Sequence, residues 1–399
     1  MTVRRTSHSR PAVLKFGGSA FADLDGYHRV ARYVLRRGTE EQRPLVVVVS
    51  AMSGTTGRLQ QTLGALSADP PADAAAMLLT TGETVSVALL AAALDAAGVP
   101  ACPLPAAGTG LLAEGPADRA RLASVSPQAL SKALTDFPIA VVPGGQAVDP
   151  AGRIVMLGRN SSDLSAAASA ATLGAETCEL FSDVPGVCTA DPYLVPEART
   201  LSRISYEGVR RMSRHGAKVV HEGAVEWAER GGVRLLCRPF PWSEGPKGGT
   251  AVGTGPEAAA VVVHKDSEVW CFRSGRERRA VAGLLRAEGL GGTEFDTASE
   301  ACLTVRTGAR GAARHLRTAR RLDDLCLVTT LREDGTAEHT LVPRSDAAAE
   351  ARRRHALLYP DPTGTPGAAA PLPAKARSPH SDVLISLGPV PGPENKPPD

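Results

Sequence analysis

Ala12-Val13-Leu14-Lys15-Phe16-Gly17-Gly18-Ser19 is a short apolar run that stops on two glycines and a hydroxyl. Such a run reads as a buried strand followed by a tight turn. The pattern recurs along the chain. Leu45 to Ser50, Ile139 to Val142 and Cys178 to Ser182 are further strand-like runs. Between them lie amphipathic, helix-like stretches such as Thr84 to Ala97 and Asp163 to Leu173. Strands alternating with helices predict an α/β fold over residues 11–253: a three-layer αβα sandwich with a mostly parallel central sheet. In open sheets of this kind ligands sit at the carboxyl ends of the strands, and the polar and glycine-rich segments of this chain fall there.

Outside that span the sequence changes character. Residues 1–10 read as a flexible N-terminus, and Phe240 to Pro256, rich in Pro and Gly, as a linker. Residues 254–345 predict a small α+β module. Its expected strands are Ala258 to Val263, Glu268 to Phe272, Ala301 to Arg306 and Leu325 to Thr330; its expected helices are Arg276 to Glu288 and Ala309 to Leu322. Residues 346–399 read as a Pro-rich disordered tail, because eleven prolines between Pro360 and Pro398 break both ladders and helices. Ser381 to Leu387 is the one β-like island within it.

A net charge of +3 over 399 residues, with the basic groups scattered, gives no footprint for nucleic acid or a membrane surface. Arg4, Arg5 and Arg10 are followed by a polar stretch, which argues against a secretion signal. No apolar run is expected to approach the roughly 20 residues of a membrane span. Seven cysteines, an odd number without a Cys-x-x-Cys pair, point to reduced, buried thiols rather than zinc or disulfides. A cytoplasmic protein is expected.

Six segments carry chemistry. Gly17, Gly18 and Ser19 allow close approach of backbone amides to phosphate oxygens, and Lys15 can neutralise charge on a transferring phosphoryl group. This is not a Walker A loop, whose spacing is absent. Ser50-Ala51-Met52-Ser53-Gly54-Thr55-Thr56 offers Ser50, Thr55 and Thr56 hydroxyls to a ligand, or forms an ordinary strand-to-helix turn. Thr80-Thr81-Gly82-Glu83 puts a carboxylate at a helix start, where it either complements the helix dipole or holds an ammonium group. In Leu157-Gly158-Arg159-Asn160-Ser161-Ser162-Asp163, Arg159 either pairs with Asp163 or grips a carboxylate in a bidentate bond. Ser182 to Pro192 holds Asp183 and Asp191 in a turn-rich loop, as Asx turns or as carboxylates around Mg²⁺ or an adenosine group. Lys218, in Gly216-Ala217-Lys218-Val219-Val220-His221, reaches either a phosphate or solvent.

Taken in order, with Ile204-Ser205-Tyr206-Glu207 between the last two, these segments resemble the amino-acid kinase family, and within it the aspartate kinases, over roughly residues 11–253. The resemblance implies the amino-acid kinase fold, ATP and Mg²⁺ as cofactors, and a small amino acid, L-aspartate, as acceptor. It implies Lys15 and Lys218, with Asp183, at the transferred phosphoryl group, and Gly17, Gly18 and Ser19 as the phosphate loop. Ser182, Asp183 and Asp191 would lie around the nucleotide. Glu83 and Arg159 would hold the ammonium and α-carboxylate of the acceptor, with Ser50, Thr55, Thr56, Ser162 and Asp163 beside them. No dedicated metal site is implied, and a homodimer is.

Several positions depart from the family pattern. Ala20, Gly57, Asn160-Ser161, Tyr193 and Glu222-Gly223 stand where the family has Ser, an acid or its amide, Gly-Gly, Arg and Pro-Arg. The first three fall in segments expected to touch the acceptor. They leave open a kinase for a modified aspartate or another small carboxylic acid. Residues 257–345 have room for about one of the tandem ACT modules that such kinases carry. Feedback control by lysine or threonine is therefore expected to be lost or altered. A non-catalytic, nucleotide-binding homologue is the remaining alternative.

Overall fold

The computed structural model describes residues 10–158, 160–240, 248–307 and 311–360. β1 (Ala12–Phe16) leads to α1 (Leu24–Glu41), whose first turn is capped by the Asp23 carboxylate on the Gly26 amide at 2.8 Å. β2 (Leu45–Val49) is followed by α2 (Thr55–Leu66), α3 (Ala72–Leu79) and α4 (Thr81–Ala96). Then come β3 (Ala101–Pro103), β4 (Leu111–Glu114), β5 (Arg121–Val125), α5 (Gln128–Asp136) and β6 (Ile139–Pro143). The hairpin β7 (Gln146–Val148) and β8 (Ile154–Met156) delivers the chain to α6 (Ser162–Thr172) and β9 (Thr177–Ser182). β10 (Arg203–Ser205), α7 (Tyr206–Arg214), α8 (Glu222–Gly231), β11 (Arg234–Pro239) and β12 (Thr250–Gly253) finish this part.

Eight strands form one sheet in the order β10-β12-β11-β9-β1-β2-β6-β3, and every neighbouring pair except β11 with β12 is parallel. Successive residues of β1 and β2 turn to opposite faces. Val13, Val46 and Val48 enter the core that holds Ala166 to Ala168 of α6 and Ala224, Val225 and Ala228 of α8. Leu14, Phe16, Val47 and Val49 enter the other core, with Val30 of α1 and Leu90 of α4. Burial on both faces explains why these strands are continuous apolar runs rather than alternating ones. α3 and α4 together, Ala72–Ala96, are apolar and long enough for a membrane span, contrary to the sequence expectation. α4 nevertheless buries Val87, Leu90 and Leu94 in the sheet's core.

The remainder comprises β13 (Ala260–Val263), β14 (Ser267–Phe272), α9 (Gly275–Ala287), β15 (Glu294–Asp296), β16 (Ala301–Arg306), β17 (Arg320–Leu322), β18 (Leu325–Leu331), β19 (Ala337–Pro343) and α10 (Ala347–Leu358). They make two antiparallel sheets, β13-β18-β19 beside α10 and β15-β16-β14-β17 beside α9.

Three expectations are corrected here. The helix expected over Ala309 to Leu322 is a short 3-10 turn, Ala312–Arg314, and then strand β17; Gly311 at φ +78° stops a helix, and Arg320–Leu322 pairs with β14 instead. The tail does not begin at 346. Ala347–Leu358 contains strong helix formers, buries Ala347, Ala351 and His355, and carries a Glu350–Arg354 ion pair one turn apart. The prolines begin only at Pro360; Ser381 to Leu387 and the rest of 361–399 lie outside the described residues. Cys271 and Cys302 are joined as a disulfide, because the β14–β16 register sets them opposite each other with Cα atoms 4.3 Å apart. Spacing along the chain could not reveal that pairing.

Beneath the carboxyl end of β1, Phe16 stacks on Phe181 with ring centroids 4.8 Å apart, and Phe240 and Tyr33 pack edge-on against both. Phe181→Ala is expected to cost about 3–5 kcal/mol of stability. Urea unfolding followed by circular dichroism would register it as a lower transition midpoint at unchanged slope.

Candidate active site

The site is built where β1, β2 and β9 end side by side. The Gly17 amide donates to the Phe181 carbonyl at 3.1 Å, and the Ser50 amide donates to the Phe16 carbonyl at 3.1 Å. A Cβ on Gly18 would stand 3.0 Å from the Ala51 carbonyl oxygen. The glycines thus let the loop after β1 pack directly on the loop after β2. The Gly17 amide is consumed by the sheet. Gly18 and Ser19 begin the 3-10 turn Gly18–Phe21.

Lys15, near the end of β1, meets Asp163 in the first turn of α6, Nζ to Oδ1 2.7 Å, with both side chains only 13% exposed. Ser162, next to Asp163, belongs to a polar cluster. The Ser50 and Ser162 hydroxyls are 3.0 Å apart. The Glu83 carboxylate accepts the Ala51 amide at 3.3 Å. Burial pushes the Glu83 carboxyl up to about 7, against the opposing hydrogen bonds from its own backbone, Ala51 and Gln146. Gln146 is itself buried and donates to the Thr80 carbonyl at 2.6 Å. Thr55 and Thr56 open α2, and nothing stands within 4 Å of where a Gly57 Cβ would be. A Cβ on Gly144 would meet that of Ser162 at 2.5 Å, so the start of α6 closes directly onto the end of β6. Asn160, in the first position of the family's Gly-Gly pair, has φ +59°, a left-handed conformation that Asn tolerates better than most side chains. Arg159 lies outside the described residues.

The pair also lines a cavity of about 430 Å³, together with Ser182, Asp183, Asp191 and Lys218 among others. Its volume lies in the range of small-molecule sites. The Tyr193 hydroxyl donates to Asp183 at 2.9 Å, and its amide donates to the Asp191 carboxylate at 3.0 Å, an Asx turn. Burial, the hydrogen bond to Asp183 and the charges of Asp183 and Asp191 push the Tyr193 phenol up to about 12. Lys218 pairs with Asp266, and Asp191 with Lys265, both partners coming from the turn between β13 and β14. Among the described residues no group of three or more His, Cys, Asp or Glu is placed to hold a metal. Asp183 and Asp191, among the carboxylates on this cavity, are nevertheless a donor set that suits Mg²⁺ held together with phosphates.

The sequence-predicted residues other than Arg159 therefore fall into a polar cluster about Ser50, Ser162 and Glu83 and a cavity about Lys15, Asp163, Asp183 and Lys218. Sequence reasoning missed Gln146, the tight Gly144–Ser162 contact and the Lys265-Asp266 turn. The Pro143-Gly144-Gly145-Gln146 stretch was a usable signal, since adjacent glycines after a strand mark close backbone approach. For Lys265-Asp266 there was none, because it lies far along the chain.

Residues 10–238 match the amino acid kinase family. The chain belongs to that family. It is 42% identical over 226 residues to an aspartokinase of Thermus thermophilus, covering 57% of this chain and 56% of that protein. It is 37% identical over 234 residues to an aspartate kinase of Pseudomonas putida, covering 59% and 56%. The chain thus spans little more than half the length of these relatives. In fold it is similar to E. coli aspartokinase III in complex with aspartate and ADP, R-state, with a TM-score of 0.67 at 20% identity over 87% of this chain and 99% of that one. It is also similar to aspartate kinase from Synechocystis, with a TM-score of 0.54 at 25% identity over 87% and 68%.

The raised Glu83 carboxyl has a consequence for pH. A folded-state value above the unfolded one favours the folded state when the group is protonated, and that advantage is lost as pH rises from 4.5 to about 7. Glu83→Gln, neutral throughout, is expected to gain stability relative to the unsubstituted protein across that window and to level off above it. Chemical denaturation at a series of pH values measures the difference; a pH-independent offset would contradict it.

Proposed function

We propose that this chain transfers the γ-phosphate of ATP to the side-chain carboxylate of L-aspartate, giving 4-phospho-L-aspartate. The observation that carries the proposal is the Lys15–Asp163 pair. The pair lines a cavity that presents Lys218, Asp183 and Asp191, and Asp163 adjoins Ser162 of the hydroxyl- and carboxylate-lined cluster. The aspartokinase relatives support it, as does the likeness to a kinase described with aspartate and ADP.

Under this proposal Lys15 and Lys218 stabilise negative charge on the transferred group, and the Gly18 and Ser19 amides face its oxygens. Asp183 and Asp191 hold the nucleotide through Mg²⁺, which supplies neutralisation of phosphate charge. Glu83 takes the ammonium group and Arg159 the α-carboxylate, while Ser50, Thr55, Thr56 and Ser162 orient the rest of the acceptor. A side-chain carboxylate is already ionised at neutral pH, so the attacking oxygen needs no general base. Positioning and electrostatics do the catalysis. The departures at Ala20, Gly57 and Asn160 favour one second reading, a modified aspartate or another small carboxylic acid as acceptor. The proposal extends to a cytoplasmic homodimer, the compartment being where ATP is supplied. It also extends to one ACT-like module over residues 254–358, α10 included, with feedback by lysine or threonine lost or altered.

ADP release measured across a panel of small carboxylic acids tests the acceptor: a strong preference for L-aspartate is expected. A modified acid turning over faster would move the assignment to the second reading, and no turnover with any acid would favour a nucleotide-binding, non-catalytic protein. Lys15→Ala is expected to lower kcat by about 10²–10³-fold, the loss typical of one preorganised charge-stabilising group. A folded variant with unchanged turnover would remove Lys15 from the mechanism.

A further inference from the structure

Two neighbouring residues of one turn hold both walls of the cavity. β13 ends at Val263 and β14 begins at Ser267, and the Ser267 amide closes the turn on the His264 carbonyl at 3.1 Å. The turn is firmly placed. Arg344 donates to the carbonyls of Lys265 at 2.8 Å, Ser267 at 2.9 Å and Leu325 at 3.1 Å. His264 is buried and 3.0 Å from the Thr329 hydroxyl. From this fixed backbone Asp266 reaches the Lys218 ammonium and Lys265 reaches the Asp191 carboxylate. The two pairs have opposite polarity. The anion of the turn meets the cation of the α7–α8 loop, and the cation of the turn meets an anion of the loop after β9.

All four side chains line the cavity that also holds Lys15 and Asp183. The pairs are partly open to water: the Lys218 and Asp266 side chains are 53% and 50% exposed, those of Lys265 and Asp191 39% and 26%. Pairs so exposed are weak and exchange readily. A nucleotide with its metal carries the same two charges in the same sense, phosphate for Lys218 and cation for Asp191.

We infer that the β13–β14 turn is an internal competitor for the nucleotide site: Asp266 occupies Lys218 where a phosphate would, Lys265 occupies Asp191 where a metal-bearing nucleotide would, and binding displaces both. The inference rests on the nucleotide reading of this cavity given above. It makes the C-terminal module a direct participant in nucleotide affinity. The module is tied to the same loop at two further points, the Val261 amide on the Thr189 carbonyl at 2.8 Å and His355 of α10 on the Thr189 hydroxyl at 2.8 Å. Occupancy of the cavity therefore bears on contacts that the module makes through β13 and α10.

The test is isothermal titration of the full chain with ADP and Mg²⁺. Asp266→Asn keeps the shape and removes the charge, so it is expected to tighten Kd by about 2- to 5-fold, as loss of an exposed competing ion pair would. Asp266→Glu, which keeps the charge, is expected to bind as the unsubstituted protein does. A merely structural role for Asp266 would lower the melting temperature without tightening ADP binding. Should Asp266→Asn fold poorly, Asp266→Ser carries the same expectation. An unchanged or weaker Kd in a folded neutral variant overturns the inference while leaving the kinase proposal standing. Unsubstituted protein that binds no ADP overturns both.

Discussion

β1 bonds in parallel to β2 on one side and β9 on the other, and the site depends on that register. Phe16 stands opposite Val49 and Phe181. The three loops that follow therefore begin at the same height. Lys15, Ser50 and Ser182, separated by up to 167 positions in sequence, become neighbours along one edge. The Gly17–Phe181 and Ser50–Phe16 hydrogen bonds carry the pairing just past the strands. A one-residue slip of β1 would send Lys15 to the opposite face of the sheet. The stacked Phe16 and Phe181 rings resist that slip by locking side chains on the same face.

This part of the molecule was legible because its signals are local. Continuous apolar runs such as Leu45–Val49 occur only where both faces are covered, so the strands announced their own depth. The glycine and hydroxyl segments announced where they end. Glycine had a further role that local reasoning assigned differently. Gly17 and Gly18 read as a cradle for phosphate; in the structure their lack of side chains first serves the contact between two loops, and one of the two amides is bound within the sheet.

The C-terminal module was less legible, for a physical reason. Its strands are held by antiparallel partners far away in sequence, and edge strands such as Arg320–Leu322 have no apolar face strong enough to declare themselves. Arg and Ala in that stretch favour a helix in isolation, and pairing with β14 overrides the preference. The same holds for charge. Asp266 and Lys265 were unremarkable as a dipeptide, and only the fold brings them onto Lys218 and Asp191. α10 was hidden differently, since the prolines beyond it coloured the composition of the whole segment.

Both cation placements follow one electrostatic rule. On the proposed reading both lysines await a phosphate, and burial decides how much each needs a partner anion meanwhile. Lys15 is largely withdrawn from water, so its partner Asp163 must be permanent and comes from the adjoining helix of the same domain. Removing either member would strand a buried charge. Lys218 stands half in solvent, where an ion pair contributes little and is readily exchanged. Its partner can therefore come from another module without trapping the lysine. Of the two lysines, Lys15 is thus fixed and Lys218 exchangeable, and only Lys218 can report occupancy to the C-terminal module through Asp266.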